Sequence, residues 1–180
     1  RNVLERASAR STAATVAIGA LCKIFLDEFK IKISSKVLSV AGESSAQKIK
    51  EKIIEAGKKG DTVGGFFEIE IKGAPYGLGS YVQPERRLDA RLAQVIMSIP
   101  GIKGIEAGLG FGYAWYFGSE AHDAIYYNKD KGYFHKTNNA GGIEGGVTNG
   151  EDIVIHACMK PISTLMNPLA SVNIITKKPA

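Results

Sequence analysis

The 180-residue sequence predicts an α+β fold in which helices are layered on a mostly antiparallel sheet. Three observations carry that expectation. Helical and strand-like patterns alternate through the first half of the chain. The later segments read as a hairpin and paired strands. The hydrophobic content of 44% supplies a real core for a chain of one-domain length.

Residues 3–29 read as one long helix, with Leu4 and Ala7, then Val16, Ala20 and Ile24, at helical spacing. Its stretch 12–20 is rich in alanine and carries Gly19, so another element can approach it closely. Residues 31–41 alternate enough for a strand. Residues 44–58 form an amphipathic helix with Ile49, Ile53 and Ile54 facing inward, and Gly57 and Gly60 mark its end. Residues 62–72 are a strand that alternates through Phe67, Ile69 and Ile71. A loop rich in glycine and proline follows, then a helix over 87–98 closed by Pro100-Gly101. "IKGIEAG" is a strand, and 109–123 is aromatic and rich in glycine. "AIYYNKDKGYFHK" predicts a hairpin turning at 128–132. "DIVIHACMK" and "SVNIIT" are read as two further strands.

The net charge is +5, from 23 Lys and Arg against 18 Asp and Glu. That excess fits either plain solubility or a site for an anionic small molecule. The lysines are scattered without a dense basic run, which argues against nucleic acid as a partner. Cys22 and Cys158 each sit in an apolar run and are expected in the core, with no spacing that calls for a metal. So low a cysteine count fits a reducing, cytoplasmic compartment. No apolar stretch approaches the roughly 18 residues of a membrane span. The chain opens on Arg1 close to a helical pattern and stops just after a strand-like run, so it is expected to be cut from a longer protein at both ends.

Several short stretches could carry chemistry. "NNAGGIEGGVTNGE", residues 138–151, places Gly141, Gly142, Gly145 and Gly146 close together. Lacking Cβ atoms, they let backbone amides approach a ligand; a sharp corner or close packing of chain on chain is the competing explanation. The order matches neither the dinucleotide nor the Walker fingerprint. In "ERASAR", Arg6 and Arg10 would share one helix face. If Ser8 were instead the N-cap, Arg6 would lie in the lead-in beside the first free amides, an anion site. A solvated helix end with loose arginines is the bland counterpart.

"GDTVGG" places Gly64 and Gly65 in a strand, which suggests a bulge or a close approach. "KPIST", residues 160–164, ends a strand with a cation, a proline and two hydroxyls, suited to a phosphate or to a plain turn. His122, His135 and His156 are not clustered in sequence, and each reads as structural or solvated. No metal site is expected.

Each motif is weak alone, but their order is specific. "ERASARSTAA", "GDTVGG", "PYGLG", "LDARLAQVIMSIPGIKGIEAGLGF", "NNAGGIEGGVTNGE" and "KPIST" together resemble the chorismate synthase family over essentially all 180 residues. Ser11, where the family usually has Glu, and Thr62, where it usually has Ser, are departures outside the expected chemistry.

The resemblance implies a β-α-β sandwich assembled as a homotetramer. It implies a carbon–oxygen lyase that removes phosphate from 5-enolpyruvylshikimate 3-phosphate by 1,4-elimination to give chorismate, in the shikimate pathway, with reduced FMN. It implies flavin contacts from Arg6, Ala7, Ser8, Pro100, Gly101, Gly145, Lys160, Pro161, Ile162, Ser163 and Thr164, some of them from a neighbouring subunit. It implies substrate contacts from Ser8 and Arg10.

The family's proton-transfer histidines lie upstream of "ERASAR", and a late Arg-Asp motif lies beyond "TKKPA". No catalytic residue is therefore expected among residues 1–180, which read as the central part of one domain, and the isolated chain is expected to lack turnover. The alternative function is a non-catalytic α+β module that binds a phosphorylated ligand or RNA.

Overall fold

The computed structural model describes residues 9–180. A 3-10 turn, Ala9–Ser11, leads into helix α1 (Thr12–Asp27). The helix predicted over 3–29 therefore has its regular part at 12–27, and its portion before residue 9 lies outside the described residues. The proposed N-cap, Ser8, lies there too; Ser11 occupies the cap position of α1, with helical backbone angles and no side-chain cap bond. Helix α1 is apolar nearly all round and has no buried residue. Val16, Ile18, Leu21, Ile24 and Phe25 are all exposed.

Strand β1 (Lys32–Val40) follows, then helix α2 (Ala46–Lys59) and strand β2 (Gly65–Lys72). Helix α2 starts at Ser45, whose hydroxyl accepts from Lys48 N at 3.3 Å. It ends at Gly60 in the left-handed conformation (φ 66°), with Lys58 and Lys59 in the last turn where the helix dipole favours cations. On its outer side Glu55 sits between Lys59 and Lys52, and hydrogen bonds from both lower its carboxyl to about 2. Of the three isoleucines expected to face inward, Ile49 is half-buried, but Ile53 and Ile54 are exposed. Among the described residues nothing covers that stripe.

Helix α3 (Leu88–Met97) leads through Pro100-Gly101 into β3 (Ile102–Ala107). A 3-10 turn (Gly110–Trp115) and a single helical turn, α4 (Gly118–Ala121), come next. They leave Phe111, Phe117 and the sole tryptophan, Trp115, in solvent; Trp115 is 86% exposed. Strands β4 (Ile125–Asn128) and β5 (Gly132–His135) make the expected hairpin. Asn128 closes its turn by accepting from Asp130 N and Lys131 N. Two short strands, β6 (Ile143–Glu144) and β7 (Val147–Thr148), precede β8 (Ile153–Met159).

The main sheet is antiparallel with order β1-β2-β8-β3. Its faces follow the two-residue period of the sequence. On one face Phe67 opposes Ala157, Ile69 opposes Ile155 and Ile71 opposes Ile153. Ile96, Leu88 and Leu92 of α3 pack against this face, and with Ile102, Ile105, Ile143 and Ala74 they complete the core. The layered α+β expectation holds.

The core is thickest under α3, over β8 and β3. Toward β1 the same face is open, and Val37, opposite Phe67, is 64% exposed. Two further expectations fail. Cys22 and Cys158 are exposed, because Cys22 lies on uncovered α1 and Cys158 lies on the β8 face opposite Ile153, Ile155 and Ala157. "SVNIIT" forms no regular strand: it pairs with the tail that follows it through the Val172–Pro179 bridge and backbone bonds from Asn173 N to Lys178 O and from Ala180 N to Ser171 O, and Ile174 and Ile175 are exposed.

Candidate functional site

The end of β8 builds the first half of the site. Lys160 N donates to Gly101 O at 2.9 Å, which brings Pro100-Gly101 against the start of "KPIST". Thr62 Oγ1 donates to Ile162 O at 2.6 Å and pins the segment from the other side. The close approach expected at Gly64 is real: a Cβ there would lie 2.6 Å from Met159 O and against the Pro161 ring. Thus Pro100, Gly101, Lys160, Pro161, Ile162, Ser163 and Thr164 meet at one end of the sheet. The last five of them are exposed. Gly101 (φ 91°) has only Met159 Cγ near the place of a Cβ. Lys160 makes no ion pair among the described residues. Bare backbone, a cation and two hydroxyls at an open edge suit an anionic, flat guest such as a flavin phosphate.

The glycine-rich stretch behaves differently. Gly141 has φ 63°, and a Cβ on it would lie 2.3 Å from Gly108 N and 2.8 Å from Val154 O. Gly142 presses on Asp152 O, and Gly146 on Ser80 O and Arg87. These three glycines are buried, and what approaches them is this chain's own backbone. The reading of the whole stretch as bare chain for a ligand is corrected for them.

The amides are taken as well. Asn139 N and Ala140 N donate to the Asp123 carboxylate at 2.9 and 2.8 Å. Gly141 N donates to Asn138 O and Gly142 N to Asn138 Oδ1. Only Gly145 (φ 59°) keeps open space, with nothing within 4 Å of where its Cβ would be. It caps the β6–β7 turn and stays exposed. Of the glycines in this stretch, it alone fits a flavin contact.

Gly145 and the "KPIST" edge lie at opposite ends of α3. Leu88 N, at the start of α3, donates to Gly146 O, whereas Gly101 follows the helix's last turn. Ten residues at 1.5 Å each separate the two ends by roughly 15 Å. Arg6, Ala7 and Ser8 lie outside the described residues. Arg10 is described in the 3-10 turn before α1, where it is exposed.

Residues not singled out from sequence hold these segments in place. Asp123 also accepts from Thr137 Oγ1. Burial is the largest influence on its carboxyl and pushes it up, but the bonds from Thr137, Ala140 and Asn139 outweigh burial and bring it below the usual aspartate range. Thr148, 2% exposed, donates to Pro75 O and accepts from Leu78 N, fastening "PYGLG" to β7.

On the sheet face away from the core a polar row crosses four strands. Lys36 pairs with Glu68 at 2.7 Å, Glu68 with His156 Nε2 at 3.0 Å, and Glu106 lies 3.6 Å from His156 Nδ1. The Lys36 hydrogen bond is the chief cause holding the Glu68 carboxyl low. Alternation of Glu68 with Phe67 and of His156 with Ile155 placed these groups on that face, but their pairing depends on register, which the sequence does not display. No group of His, Cys, Asp or Glu able to hold a metal occurs among the described residues. No helix among them is long and apolar enough to cross a membrane.

The family model described as chorismate synthase matches residues 1–180. The chorismate synthase of Caldanaerobacter subterraneus subsp. tengcongensis is 56% identical over 99% of this chain and 51% of its own length. That of Thermoanaerobacter pseudethanolicus is 54% identical with the same coverage. A crystal structure of a chorismate synthase superposes with a TM-score of 0.85 at 44% identity, over 89% of this chain and 58% of the other. The chain spans about half the length of the curated relatives it matches. On a match that runs from the first residue to the last, the chain belongs to the chorismate synthase family.

Proposed function

We propose that this chain works as part of a cytoplasmic, homotetrameric chorismate synthase, which eliminates phosphate from 5-enolpyruvylshikimate 3-phosphate to give chorismate with reduced FMN bound. The observation that carries the reading is the gathering of Pro100, Gly101 and Lys160–Thr164 at one open edge, in a chain that matches the family throughout. Reduced flavin, when bound, supplies electron density to a substrate carbon that becomes electron-poor as phosphate departs.

The chain's own residues do the holding. The bare backbone at Gly101 and Gly145 admits a flat ring. Lys160 and the hydroxyls of Ser163 and Thr164 suit a phosphate tail. Arg10 suits the substrate phosphate, where a fixed guanidinium stabilises negative charge gathering on the leaving group. Because Gly145 stands at the far end of α3 from Lys160, the two would serve one flavin through neighbouring copies in the tetramer, or serve different parts of the site. An RNA-binding alternative is weakened by how the charge is spent: Lys36, Lys52, Lys59 and Lys72 each sit against a carboxylate.

The test is a substrate and FMN titration in a chain of family length carrying these residues. Arg10→Ala should weaken substrate binding by roughly 2–4 kcal/mol through loss of a charge-assisted contact. Gly145→Val should impair FMN binding. The 180-residue chain alone should show no turnover with reduced FMN; chorismate formation at family-like rates would overturn the expectation that it holds only part of the site.

A further inference from the structure

Outside the proposed site, the Asp123 carboxylate accepts three hydrogen bonds. It sits just after α4, before the β4–β5 hairpin leaves, and its bonds reach across that hairpin to residues 137, 139 and 140. One carboxylate oxygen accepts from Thr137 Oγ1 and Asn139 N, the other from Ala140 N. Successive backbone amides curled round one anion form a nest, an arrangement that ordinarily binds a phosphate or carboxylate from outside. Here two of the amides close on a carboxylate of the same chain.

The next two amides close on Asn138, whose Nδ2 donates to Asp152 O at 2.7 Å. Asn139 Nδ2 returns to Ala121 O, two residues before Asp123. The path from this clamp to the open glycine is short. Asn149 N donates to Gly142 O, and Asn149 Nδ2 donates to Glu144 Oε2, so the turn and the strand leading to Gly145 are fixed together. The phenol of Tyr113 is pushed up by burial first and then by the charges of Asp123 and Glu144.

We infer that Asp123 is a positioning residue: its carboxylate holds the 137–142 turn so that Gly145 presents bare backbone to the flavin. The inference rests on the proposed flavin contact at Gly145 and adds the group that holds that contact in place. It touches neither substrate nor cofactor itself.

The experiment measures FMN dissociation constants and thermal midpoints in a chain of family length. Asp123→Asn keeps the shape but loses an acceptor for Ala140 N, and should weaken FMN binding about tenfold or more. Thr137→Val removes one bond and should weaken it about threefold. Ile69→Val, packed against the core on β2 opposite Ile155, should lower the thermal midpoint yet change FMN affinity by less than about twofold. At saturating FMN, the visible absorption band in Asp123→Asn should shift toward that of free flavin.

FMN affinities in Asp123→Asn and Ile69→Val that agree once matched for stability would overturn the positioning role. Should Asp123→Asn not fold, an unchanged FMN affinity in Thr137→Val overturns it equally. Gly145→Val separates the two levels. If that variant binds FMN normally, the flavin contact at Gly145 fails; if it loses FMN while Asp123→Asn does not, only the role of Asp123 fails.

Discussion

Residues 137–152 and helix α1 are both dominated by small or apolar side chains, and they end in opposite conditions. In the first, backbone packs on backbone: Gly141 lies against Gly108 and Val154, four consecutive amides are internally satisfied, and Thr148 is buried with its hydroxyl paired both ways. In the second, sixteen residues with an apolar surface on nearly every side have no buried member. The turn carries its partners within the described chain and is complete. The helix has its apolar faces ready and, among the described residues, almost nothing to set them against. A helix of that kind is stable only when enclosed. Local completeness and local openness thus divide this molecule more sharply than helix and strand do.

The comparison breaks most readily at Gly141. Gly141→Ala forces a methyl group into Gly108 at a positive φ and should cost more than about 3 kcal/mol, whereas Gly145→Ala, at similar φ but with open space, should cost only about 1 kcal/mol. Urea unfolding of both variants checks this; equal costs would mean that the two glycines are not differently packed.

Next comes Asp123. Its folded carboxyl lies below the usual aspartate value, so the stability it contributes is present above that value and is lost as pH falls through the folded one. Asp123→Asn should cost about 2 kcal/mol at neutral pH, and the gap to wild type should stay level down to about pH 5 and shrink below about pH 4. A gap independent of pH would remove the charge from the account.

Thr62→Val should cost about 1 kcal/mol and raise amide exchange in 160–164, since one hydroxyl pins that segment. The smallest effect belongs to α1. Leu21→Ser in the 180-residue chain should change stability by no more than about 0.5 kcal/mol, because the side chain is already in water. In a chain of family length the same change should cost several times more if the helix is enclosed there, and an equally small cost would end that view.

The four strands of the main sheet, the hairpin and the two amphipathic helices were legible because each is set by a short-range period or a turn residue. Phe67, Ile69 and Ile71 announce their face, Gly60 stops α2, and Asn128 closes the hairpin. The meaning of the glycines was only half legible. Composition reveals that backbone must come close to something, but not whether that something is a ligand or Val154 O; Gly141 and Gly145 have nearly the same φ and opposite surroundings. Asp123 was invisible for a related reason, since its partners lie 14 to 17 residues away across a hairpin. "SVNIIT" has strand-forming residues but no regular strand beside it, and β-propensity without a partner strand makes no sheet. Cys22 and Cys158 were expected inside because their neighbours are apolar, yet each lies on an element face that the described chain leaves bare.

The lone indole of Trp115, standing almost wholly in water on the 3-10 turn beside Tyr113, gives the molecule a built-in optical probe. Its luminescence should sit at the red end of the tryptophan range in the isolated chain and move to the blue when another surface closes over that turn. Energy transfer to an isoalloxazine would dim it. One wavelength scan therefore reports on this patch alone, with no label to attach.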